Sequence, residues 1–83
     1  MATYGGLIRW RDIAAMLDEC APNWRQEEKP HTRWIYHPSR REPFRLPLGQ
    51  HGRRQNPEIQ PGKVKGMARH FSIYDCAKTF FGW

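Results

Sequence analysis

Between Lys29 and His37 the chain reads Lys-Pro-His-Thr-Arg-Trp-Ile-Tyr-His, and the residue types there suit one kind of chemistry. His31 follows a proline and stands between two cations, Lys29 and Arg33, at the mouth of a β-branched and aromatic run. An imidazole titrates near working pH and is fit to act as a general base. Cations beside it can hold a phosphoryl group as charge develops on it. Cleavage of RNA needs that combination, because RNA supplies its own nucleophile, the 2′-OH, once that hydroxyl is deprotonated. His31 is therefore the candidate base, and Lys29, Arg33 and Arg45 are candidates to hold the scissile phosphate. No motif marks the leaving-group acid, for which His51 is only a guess, and such a reaction would leave a cyclic phosphate.

Each of these residues also has a plainer reading. His31 can be a partly exposed histidine at the start of a strand with no role. Trp34 and Tyr36 can stack on unpaired bases as aromatic residues do in single-strand readers, or can be core, the commoner fate of such residues. His37 suits a strand end beside Pro38. His70 falls in the last turn of a helix, where a cation suits the dipole. The four histidines have no tight ligand spacing and neither cysteine joins them, so no metal is expected.

The charge is unevenly placed. Residues 1–28 hold three Arg against five acids, residues 29–70 hold ten Lys or Arg against two acids, and the rest balances, for a total of +6. The second half thus carries the footprint of a polyanion binder, against which stands an ordinary solvated face kept for solubility. At 83 residues the expectation is a single domain, 1–83, with one small core. No apolar run reaches the roughly 20 residues a membrane span needs, and the N-terminus has no basic segment leading into an apolar one, so a soluble cytoplasmic protein is expected. Cys20 and Cys76 are too few and too distant for a disulfide framework or a CxxC motif and read as buried apolar groups.

The elements that must position these groups follow from periodicity. Residues 1–8 contain Gly5-Gly6 and read as a loose lead-in. Apolar residues at Trp10, Ile13, Met16, Leu17 and Cys20 predict an amphipathic helix over 10–20, ended by Pro22. Three strands are expected next, over 24–28, 33–37 and 44–46, the last two joined through Pro38 to Pro43. Which face of the middle strand turns inward is open: Trp34 and Tyr36 share one side, His31, Arg33, Ile35 and His37 the other. Residues 48–59 read as an exposed basic loop that includes Arg53 and Arg54. A helix from Pro61 to about Phe71 presents Val64, Met67, Ala68 and Phe71 on one stripe and Lys63, Lys65 and Arg69 off it. Lys63 and Lys65 are candidates for flanking phosphates near that helix's N-terminus. Ser72 to Asp75 has the form of a capping box before a short helix over 73–81, within a C-terminal appendage of 72–83. The fold class is α+β: two helices on one face of a three-stranded antiparallel sheet, α-β-β-β-α, with a short C-terminal helix.

That order, with a histidine entering the second strand and Ile59-Gln60-Pro61-Gly62-Lys63-Val64-Lys65-Gly66-Met67 leading into the last main helix, resembles the HicA family of mRNA interferase toxins. The resemblance runs from about Arg11 to Phe81 and includes the spaced helix Arg11-Asp12-Ile13-Ala14-Ala15-Met16-Leu17. His31 matches the family's catalytic histidine; Lys29-Pro30 stands where the family has Gly-Ser, and the loop 48–58 is longer. The resemblance implies a double-stranded-RNA-binding-domain-like sandwich and an endoribonuclease that cleaves mRNA without needing the ribosome, forming a type II toxin–antitoxin pair with a HicB-like protein; with the histidine spacing above, a metal-independent enzyme without cofactors is expected. Two other readings use the same residues: a non-catalytic RNA-binding module, and a protein-binding domain whose interface is Phe80, Phe81 and Trp83.

Overall fold

The structure, a computed structural model, describes residues 6–47 and 58–83. Its elements run β1 (Ile8–Arg9), α1 (Trp10–Cys20), β2 (Arg25–Glu28), β3 (Thr32–His37), β4 (Arg40–Pro47), β5 (Glu58–Ile59), α2 (Pro61–His70) and α3 (Tyr74–Phe81). The fold is α+β: β2, β3 and β4 form an antiparallel sheet in that order, accompanied by three helices. Among the described residues, no helix is long and apolar enough to cross a membrane.

The middle strand decides the layout. Ile35 is fully buried and pairs with Phe44, while the next inward pair is Arg33 with Leu46. Ile35 and Leu46 join Ile13, Met16 and Leu17 of α1, Val64, Met67 and Ala68 of α2 and Ala77 and Phe81 of α3 in one hydrophobic cluster. Since successive strand residues alternate between faces, Trp34 and Tyr36 are thereby turned to the opposite face, which no described helix covers. The plainer reading of these two rings as core does not hold.

Several local expectations are corrected. The segment around Ile8 is not a loose lead-in: Ile8 is fully buried and pairs with Ile59, making a two-stranded antiparallel sheet of β1 and β5. Neither strand is legible alone, because two residues carry no periodicity. The β3–β4 connection is only Pro38-Ser39, and β4 begins at Arg40. Pro43 sits inside β4 without breaking it, because β4 lies at the sheet edge and is irregular there: Arg41 to Pro43 stand opposite Tyr36 alone. The Ser72–Asp75 capping box is not made. Ile73 is the N-cap of α3, without a side-chain cap bond, and Ser72 takes a left-handed φ of 58°. Cys20 and Cys76 are not a pair of buried apolar groups but a disulfide, with Cα atoms 5.7 Å apart, that ties the end of α1 to α3. Sequence distance hid this pair, since 56 residues separate two cysteines that the packing of α3 against α1 brings together.

Candidate nucleic-acid interface

The uncovered face of the sheet is built by three strands in register. Trp34 pairs with Glu27 on one side and Arg45 on the other, and Tyr36 pairs with Arg25. Directly paired residues share a face, so these side chains converge. The Arg45 guanidinium lies 4.7 Å from the centroid of the Trp34 ring and the Lys29 ammonium 5.2 Å from it. The Arg25 guanidinium lies 5.3 Å from the Tyr36 ring. Two half-buried aromatic rings on one strand thus each carry positive charge, on a surface that is free of helices among the described residues.

One carboxylate belongs to this face. Glu27 accepts a 3.0 Å hydrogen bond from the Tyr36 hydroxyl and lies 3.5 Å from the Lys29 ammonium. Its carboxyl is held below the ordinary value, first by the Tyr36 bond and then by Lys29. The same bond raises the Tyr36 hydroxyl, since the phenol donates to an anion that phenolate would repel.

The residues singled out from the sequence are not all brought together. His31 is exposed in the turn between β2 and β3, which the Lys29 N–H closes on the Thr32 carbonyl at 2.9 Å. That turn projects from the end of the sheet that carries Lys29, Trp34 and Arg45, so these four belong to one end of the molecule. Arg33 does not join them. It is 6% exposed, points to the core side, lies 4.6 Å from the Trp10 ring centroid, donates to Gln26 at 3.0 Å and pairs with Glu28 at 3.2 Å. A guanidinium so engaged is a structural strut and not a phosphate ligand. The expectation that His31 and Arg33 emerge together fails because Ile35, two residues on, takes the buried place and carries Arg33 inward with it.

Lys63 and Lys65 lie on α2, with the Lys65 ammonium 5.1 Å from the Trp83 ring, and belong to the helical side. Arg53, Arg54 and His51 lie outside the described residues. His70 donates from Nε2 to the Glu42 carbonyl at 2.8 Å and anchors α2 to β4. His37 bonds through Nε2 to the Pro22 carbonyl at 3.1 Å, while its Nδ1 accepts the Ser39 N–H at 3.1 Å. That pattern fixes its tautomer and pins the β3–β4 turn to the end of α1.

Arg25 is the face residue that charge counting passed over. Its signal was the alternation within the weakly strand-like segment 25–28, which places it beside Tyr36 only once β2 is paired. Among the described residues, the closest grouping of metal-ligating types is Glu19, Cys20 and Cys76, but sulfurs joined in a disulfide are not thiolate ligands. Comparison with protein-family models, with curated proteins and with solved structures finds no match, so the HicA-like resemblance stands on the motif residues alone.

Proposed function

We propose that the chain binds single-stranded RNA on the open face of its three-stranded sheet, with Trp34 and Tyr36 as stacking platforms and Arg25, Lys29 and Arg45 as phosphate contacts. The observation that carries this reading is the pair of half-buried rings on β3, flanked by three cations and, among the described residues, left uncovered by any helix. Those cations already sit over the rings, and magnitudes decide whether a base displaces them. An exposed cation–π contact contributes about 0.5–1 kcal/mol. A base stacked on an aromatic side chain contributes about 1–3 kcal/mol, and the displaced cation then gains a phosphate. A bound strand therefore wins. The test is binding of a short, unstructured oligoribonucleotide to wild type and to Trp34→Ala, with a hairpin duplex as competitor. The reading requires tighter binding of the single strand and its loss in the variant.

A second reading adds catalysis, and the exposure of His31 at the end that carries Lys29, Trp34 and Arg45 favours it. In it the chain is a metal-independent endoribonuclease toxin, dsRBD-like in fold, partnered by a HicB-like antitoxin. His31 takes the 2′-OH proton, and Lys29 and Arg45 hold the phosphate as it becomes pentavalent. With Arg33 removed from the phosphate set, only two of the three cations first considered remain for that task. Cleavage of mRNA places the protein in the cytoplasm, where thiols are kept reduced; there the Cys20–Cys76 bond faces reduction. His31→Ala separates the readings: it abolishes RNA cutting and growth inhibition if the chain is a nuclease, and leaves RNA affinity within about twofold in either case.

A further inference from the structure

A second basic feature lies at the far end of the sheet from His31. A cavity of about 430 Å³ opens there, lined by Arg25, Arg40 and Arg41 together with Asn23, Tyr36, His37 and Pro38. No carboxylate lines it, and among the described residues none of the three arginines has an ion-pair partner. Arg25 rests against the Tyr36 ring, and Arg40 donates to the His70 carbonyl at 3.3 Å. Arg25 and Arg41 bring two cations to this concavity with no carboxylate in its lining, while Arg40 lines it but turns its guanidinium to α2; arginine's planar fork suits a phosphate with several free oxygens.

The walls are built and not incidental. The irregularity in β4 that sets Arg41 to Pro43 opposite Tyr36 alone turns this part of the strand out of ordinary pairing; such bulges redirect side chains. His37 ties the β3–β4 turn to Pro22, so that Asn23, at φ 76°, and Arg25 are held across from Arg40 and Arg41. Tyr36 belongs both to this cavity and to the stacking face. A strand laid over Trp34 and then Tyr36 would reach the cavity at its next phosphate.

We infer that this cavity holds the terminal phosphomonoester of a single-stranded RNA whose last bases stack on Tyr36 and Trp34. A terminal monoester carries more charge and one more free oxygen than an internal diester, and a concavity walled by Arg25 and Arg41 with no acid in its lining matches that difference. The inference rests on the proposed RNA-binding face and adds to it a preference for the end of the strand.

The test uses the full chain and a short unstructured oligoribonucleotide with 2′-O-methyl riboses, so that no strand is cut. It is prepared with a 5′-phosphate, with a 3′-phosphate and with hydroxyls at both ends, and affinity is read by fluorescence anisotropy. One phosphorylated form should bind about tenfold more tightly than the hydroxyl form, the increment of one further charge-assisted contact set. That preference should vanish in Arg41→Ala, persist in Lys63→Ala, and be abolished by inorganic phosphate as competitor. Arg41 is exposed with no side-chain bond to lose among the described residues, so its variant keeps the fold, and a matching thermal melt verifies this. Equal binding of all three oligonucleotides, or a preference that survives Arg41→Ala, overturns the end site while leaving the stacking face standing. No binding of any of them overturns both.

Discussion

At the scale of single residues, the account turns on which side chains β3 presents to solvent. Trp34→Ala should lower single-strand RNA affinity by about 1–3 kcal/mol with little change in melting temperature, because the ring is only half-buried. Arg33→Met should do the reverse: RNA affinity stays the same, since the guanidinium is turned to the core, and the methionine stem retains much of the packing against Trp10. Arg33→Ala, which loses that packing, should cost about 1–3 kcal/mol in a denaturant titration. Glu27 provides a pH signature. Its carboxyl is lowered from 4.5, so its stabilising contribution is fully present above pH 4.5 and is lost as the pH falls through the lower folded value. Tyr36 is raised from 10.0, so its share is fully present below pH 10 and is lost as the pH rises through the higher folded value. A carboxyl-detected NMR titration should place the Glu27 midpoint below 4.5, and Tyr36→Phe should move it up by removing the hydrogen bond that lowers it most.

At the scale of elements, what could be read in advance was what has internal period. The helix over 10–20 repeats its apolar residues over three turns and folds with the bounds that spacing predicts, and α2 begins at Pro61 as a proline tolerant first turn requires. The two-residue strands β1 and β5 and the Cys20–Cys76 bond were not legible, because each exists only through a partner far away in sequence. The face of β3 was legible only as an alternative: Trp-Ile-Tyr alternates between large apolar groups on both sides, and what settles it is that Ile35 fits beneath the helices. Of the candidate site, His31, Lys29 and Arg45 lie toward one end of the sheet, whereas Arg33, near His31 in sequence, is turned to the core side, and nearness along a strand does not give nearness in space. Two stability predictions belong here. Gly66 of α2 has room for a methyl group, which would meet Phe44 at 3.7 Å, an ordinary contact. Gly66→Ala should therefore raise stability by up to about 1 kcal/mol in thermal or chemical melts. Breaking the disulfide with reductant, or as Cys20→Ser with Cys76→Ser, should lower it by about 4 kcal/mol on the loop-closure argument for a separation of 56 residues, and should loosen α3 first in hydrogen exchange.

At the scale of the whole molecule, the described Cα trace spans 31 × 30 × 17 Å, a slab with helices on one broad side and the aromatic, cationic sheet on the other. Lys63 and Lys65 charge the helical side, Arg25, Lys29 and Arg45 the sheet side, so the chain's excess of +6 does not by itself say where a polyanion lies. Salt dependence provides part of the answer: three phosphate contacts to a single strand give a slope of log affinity against log salt of about −2, and Arg45→Ala should make it shallower by about 0.7. The most direct measurement is an NMR titration of the protein with a short unstructured RNA, following the Trp34 indole N–H and the backbone amides. The account predicts that the shifts gather on Trp34, Tyr36 and their partners Arg25, Glu27 and Arg45; shifts confined to α2 around Lys63 and Lys65, with the Trp34 indole unmoved, would contradict it.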